Sequence, residues 1–138
     1  MSKLQEHNGH YCESEYEYAF ITLLEKEGWQ YLQGNKINRQ TRSDVLYSDD
    51  LENFLSRTNP DLLPDEIHQI MDSVRLVGAE SDFATLHKVY GWMVSGIQFT
   101  PQNGIPRIIS LIDFETPDNN IFRCVNQFAV EYINNGLK

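Results

Sequence analysis

The residues best suited to hold a hard cation are Asp113, Glu115 and Asp118, followed by Asn119 and Asn120. Calcium and magnesium want clustered oxygens, but this spacing misses the EF-hand loop. Asp, Pro and Asn are also turn formers, so Thr116-Pro-Asp-Asn-Asn120 reads as a turn between two strands. One kind of Mg²⁺-dependent nuclease needs an Asp and, on a following strand, a Glu two residues before a Lys, to hold metal and activate water. Pro117-Asp118 supplies the first half. Glu131, however, is followed by Tyr132 and Ile133, and no Glu-x-Lys comes after it. His7, His10 and Cys12 lie in a polar stretch without the fourth ligand that structural zinc requires. His68 and His87 fall on separate predicted helices. Neither GxxxxGK[ST] nor GxGxxG occurs, so nucleotide binding has no local support.

Charge points the same way. Eleven Lys and Arg against twenty Asp and Glu give a net charge of −9, which opposes the counterion release that drives non-specific DNA binding. Weak or no DNA binding by this chain is expected. Lys36, Arg39 and Arg42 are the one basic concentration, in a polar, loop-like stretch. The 138 residues, 41% of them hydrophobic, suit one compact core or part of one. Cys12 and Cys124 form no disulfide framework. No apolar run reaches membrane length, and the N-terminus lacks a signal-peptide core, so a cytoplasmic location is expected.

The elements that position these residues follow from periodicity. Residues 1–13 read as a flexible tail and 14–138 as the structured part. Ser14 and Glu17 have capping-box spacing and open a helix over 15–27 that buries Tyr16, Phe20, Leu23 and Leu24 and ends at Gly28. Trp29, Tyr31 and Leu32 suggest a short strand before a turn at Gly34-Asn35. Residues 36–47 commit to neither period, and a short helix is one option there. Ser48 caps a helix with Leu51, Phe54 and Leu55 inward, which stops at Asn59-Pro60. Pro64 begins another, with an Ile67, Ile70, Met71 and Val74 stripe up to Gly78. Ser81 caps a third, placing Phe83, Leu86, His87 and Tyr90 on one face before Gly96.

Strands come last. Ile97–Phe99 and the run from Ile105 to Phe114 read as an antiparallel pair around the turn at 100–104. From Phe122 a further strand places Cys124, Phe128 and Val130 on one face, which Asn126 interrupts. Helices followed by an antiparallel sheet make an α+β arrangement. With about three strands the sheet looks unfinished.

Three stretches in order resemble the N-terminal region of the R (restriction) subunits of type I restriction-modification enzymes. They are Ser14-Glu-Tyr-Glu17 through Ala19–Leu24 to Gly28-Trp29-Gln-Tyr31; Asn59-Pro60 with Leu63-Pro64 and Ile67; and Leu111-Ile-Asp-Phe114, Asn119-Asn-Ile-Phe122 and Val125-Asn-Gln-Phe-Ala-Val130. The last is the most specific, similar to an IDF, NN-F, VNQF-V signature.

The resemblance implies the N-terminal part of a restriction-endonuclease-like, PD-(D/E)xK, domain that stops before an Arg-Pro-Asp strand and a Glu-Leu-Lys strand. It implies Mg²⁺- and ATP-dependent cleavage and translocation of double-stranded DNA by a parent protein acting with modification and specificity subunits. This chain would then be scaffold, with no cofactor of its own and no activity alone. Glu17 matches a helix carboxylate sometimes counted with such nuclease centres, and competes for that role with its own capping box. Asn126 and Gln127 match the signature's polar pair, Asn126 holding a neighbouring segment by hydrogen bonds. A different class remains open: a free-standing, acidic, non-catalytic module that docks a protein partner.

Overall fold

The computed structural model describes residues 12–39, 46–79 and 81–131. In chain order the elements are helix α1 (Glu13–Lys26), strand β1 (Gln30–Gln33), helices α2 (Ser48–Thr58), α3 (Pro64–Arg75) and α4 (Asp82–Ser95), and strands β2 (Ile97–Phe99), β3 (Arg107–Ile109) and β4 (Arg123–Asn126). Single 3-10 turns occupy Gly34–Lys36, Leu76–Ala79 and Pro117–Asn119. The class is α+β, as composition and periodicity predict. The chain divides into two compact units, Met1–Ser43 with Phe122–Lys138, and Asp44–Ile121.

In the first unit β1 and β4 pair in parallel, Gln30 with Arg123 through Gln33 with Asn126. This corrects the single antiparallel sheet expected from sequence. Parallel partners need a long crossover, and everything from Gly34 to Phe122 separates these two strands; adjacency in sequence favoured the wrong neighbour. Trp29 and Phe122, the residues preceding the two strands, pack with ring centroids 5.3 Å apart. β4 is also shorter than expected, because Gln127 turns to φ +50° and ends the extended run.

α1 starts earlier than its predicted cap. The Cys12 backbone N–H donates to Glu15 Oε2 at 3.0 Å, so the capping carboxylate is Glu15 and not Glu17, and Ser14 lies inside the helix. The face differs too. Ile21 is buried, with Glu17 and Leu24 half-buried beside it, whereas Tyr16, Phe20 and Leu23 are 62%, 62% and 54% exposed. Glu17, Ile21 and Leu24, spaced four and three apart, form the side of α1 turned to β1 and β4.

The second unit carries the main core: Phe54 and Leu55 of α2, Ile67, Ile70 and Met71 of α3, Ile97 of β2 and Ile109 of β3. Each such side chain contributes roughly 1.5–3 kcal/mol by leaving water. α2 and α3 bury the predicted residues and α2 ends at Asn59, although its N-cap is Tyr47 and not Ser48. β2 and β3 form the predicted antiparallel pair, Ile97 opposite Ile109. α4 keeps its Ser81 cap, whose Oγ accepts the Ala84 N–H at 3.3 Å. Its expected inner face is outside: Phe83, Leu86 and Tyr90 are exposed and no residue of α4 is fully buried. The helix uses Val89 and Trp92, half-buried, for packing, and Trp92 lies against the core.

Candidate functional site

Glu17 meets the end of β4. Gln127 Nε2 donates to its carboxylate, 3.3 Å from Oε1 and 3.5 Å from Oε2. With its cap duty taken by Glu15, this half-buried carboxylate has no role in starting its own helix. Behind it, the Tyr31 hydroxyl donates to Asn126 Oδ1 at 2.8 Å, a partner for the amide that interrupts the apolar face of β4. Gly34 packs its bare Cα against the carbonyls of Asn126 and Gln127; a β-carbon there would lie 2.4 to 2.6 Å from that backbone. Gln127 is the one non-glycine described residue at positive φ. Such a conformation costs on the order of 1 kcal/mol and lasts only where surrounding contacts fix it. These residues gather at the carboxyl ends of two parallel strands.

A single carboxylate does not make a Mg²⁺ site, which uses one or two carboxylates with further oxygen ligands. Among the described residues no group of three or more His, Cys, Asp or Glu is placed to hold a metal. The carboxylate run at 113–118 is a turn, as its residue types predict. Asp113 accepts from Asn119 Nδ2 at 2.8 Å, from the Thr116 N–H at 2.8 Å and from the Glu115 N–H at 3.1 Å. Those donors, Asn119 first, hold its carboxyl below the usual aspartate range. Asp113 also lines a groove of about 470 Å³ in the second unit, rimmed by Met93, Val94, Ile108 and Phe114; Glu17 takes no part in it.

The remaining candidates scatter. His7, His10 and Arg42 lie outside the described residues. Arg39 stacks 4.2 Å over the Phe128 ring and donates to Ala129 O at 2.8 Å, so it fastens the segment after β4. His68 is 3.3 Å from Glu52, and His87 stacks on Phe83. Cys12 and Cys124 are free thiols.

Sequence reasoning missed Tyr31, Gly34 and Gln127 as a connected set. Tyr31 and Asn126 lie 95 positions apart, and only the parallel register makes them neighbours. It also missed Glu66, read as a first-turn residue. Its side chain is 4% exposed, accepting the Gln102 N–H at 2.9 Å and the Leu63 N–H at 2.8 Å. Those two amides, Gln102 first, hold its carboxyl below its ordinary value.

No helix among the described residues is long and apolar enough to cross a membrane. No curated protein and no solved structure matches the chain. A family model does, over residues 10–138 and so across both units: the chain belongs to the family of the type I restriction enzyme R protein N terminus (HSDR_N).

Proposed function

We propose that this chain is the scaffold portion of the nuclease domain of a type I restriction enzyme R subunit, and that Glu17 is its contribution to the cleavage centre. One observation carries the reading. α1 turns a carboxylate toward the carboxyl ends of a parallel strand pair while leaving Tyr16 and Phe20 outside.

The described residues alone do not complete a Mg²⁺ site, and the chain by itself is expected to leave DNA uncut. In the parent protein, Arg-Pro-Asp and Glu-x-Lys strands would supply the missing ligands, and the ATP-driven motor, the modification and specificity subunits and duplex DNA belong to that larger cytoplasmic assembly. Glu17 holds a negative oxygen pair at the strand ends, where it can accept hydrogen bonds from a hydrated ion or attacking water.

The test is cleavage of plasmid DNA with Mg²⁺ by the complete R subunit, taken from the reading frame that encodes this chain and assembled with its partners. Glu17→Ala is expected to lower cleavage by about 10²-fold or more. Full activity in that variant would remove Glu17 from the centre. Cleavage by the isolated chain, lost in Glu17→Ala, would overturn the scaffold assignment.

A second reading, an acidic module that docks a protein partner, is favoured by α4, whose exposed Phe83, Leu86, Tyr90, Met93 and Val94 share one side of the helix. A reading frame without the two catalytic strands would select it.

A further inference from the structure

We infer that Gln127 is a positioning residue for Glu17, its side-chain amide fixing the orientation of the carboxylate; this rests on the role proposed above for Glu17. A glutamate on a helix has three rotatable side-chain bonds and several rotamers open to it. Here both of its oxygens lie near the same Gln127 Nε2, at 3.3 and 3.5 Å, a long and solvent-exposed contact in which the amide faces both oxygens of the carboxylate. The backbone that aims the amide is unusual. Gln127 is held at φ +50°, its carbonyl pressed on Gly34, and the preceding Asn126 is tied to Tyr31 at 2.8 Å.

Without that turn β4 would continue extended, and side chain 127 would follow the alternation of the strand. The bend falls immediately after the last parallel pair, Gln33 with Asn126, between the contacts with Tyr31 and Gly34. Only the side chain of Gln127 bears on Glu17, however, and the turn itself would be better served by glycine. What glutamine has here and glycine lacks is the side-chain amide that meets Glu17.

That distinction sets the experiment. Gln127→Gly removes the amide while relieving the positive φ, so the 138-residue chain should unfold in urea at an equal or higher midpoint, followed through Trp29. In the complete subunit the same variant should lower the cleavage rate constant at saturating DNA by about tenfold, with the KM for DNA unchanged. Gln127→Asn, which also tolerates positive φ but carries its amide on a shorter stem, should fall between the two. Gln127→Glu, setting two carboxylates together, should be worse than glycine. Combined with Glu17→Ala, Gln127→Gly should cost nothing further, because the group it orients is gone.

Wild-type cleavage by Gln127→Gly, with Glu17→Ala inactive, would overturn this inference and leave the role of Glu17 standing. Full activity in Glu17→Ala would instead bring down the underlying reading. Should Gln127→Gly fail to fold, the turn does not favour glycine and that support for the inference falls; Gln127→Asn then tests the amide.

Discussion

Gly34→Ala tests the geometry at the end of β4 through its sign as well as its size. Gly34 does not require positive φ, and a glycine-to-alanine change at a compatible backbone position ordinarily stabilises by about 0.4–1 kcal/mol, by restricting the unfolded chain. Here the new β-carbon would sit 2.4 Å from Gln127 O and 2.5 Å from Asn126 O, where ordinary contact begins at 3.4 Å, so the backbone carbonyls of Asn126 and Gln127 must retreat by about 1 Å. These are backbone atoms that cannot rotate aside. Overpacking of this kind costs about 1–3 kcal/mol, and the retreat pulls on the last pair of the parallel ladder, worth about 1 kcal/mol more. A loss of about 2–4 kcal/mol in the first unit follows, or at least about 10 °C in Tm for a unit of such size. The two tryptophans make the assay specific, since Trp29 lies in the first unit and Trp92 in the second. Thermal unfolding in a Trp92→Phe background reports the first unit, and in a Trp29→Phe background the second. The expected result is a large drop by Trp29. An unchanged or raised Tm by Trp29 would refute the close approach of Gly34 to β4, and with it the means by which Gln127 is aimed.

Two further predictions concern the second unit. The Glu66 carboxyl is held below its ordinary 4.5 by the amides of Gln102 and Leu63. A depressed folded pKa contributes stability that is present above the unfolded value and lost as pH falls through the folded one. Urea midpoints read by Trp92 should therefore fall as pH drops below about 4.5, and Glu66→Gln should flatten that dependence while lowering stability at pH 7; an equally steep acid limb in the variant would assign the loss to other groups. On α4, Phe83→Ser with Leu86→Ser should leave the free energy of unfolding within about 0.5 kcal/mol of wild type, because the two side chains are 81% and 70% exposed. A loss of several kcal/mol would mean that they are buried after all.

What the sequence made legible was local. Pro64 with Asp65 and Glu66, the Ile67-Ile70-Met71 stripe and the Ser81 cap each state their element within a few residues, and the structure keeps them. The antiparallel pair of β2 and β3 was likewise readable, because the turn that joins the strands lies between them. Two faces were misread for one physical reason. α1 and α4 carry aromatic residues on more than one side, so periodicity alone cannot say which side packs. In α1 the choice falls on Ile21, and in α4 on Val89 and Trp92.

The candidate site was legible only in its parts. Glu17, Asn126 and Gln127 were each marked by the family-like signature, but their meeting depends on β4 lying parallel to β1, a long-range pairing that no local pattern encodes. The capping box illustrates the limit. Ser14-x-x-Glu17 and Cys12-x-x-Glu15 compete for the same helix start, and sequence preference favours the serine. Moving the start to Cys12 gives the cap to Glu15 and leaves Glu17 one turn into the helix, on the side that faces the strands. A two-residue shift in a helix boundary thus changes Glu17 from a residue explained by its own helix into one that meets the glutamine at the end of β4. If that glutamine is there to aim the carboxylate, the signature's polar pair divides its labour: Asn126 holds the strand end to Tyr31, and Gln127 carries the orientation across to α1.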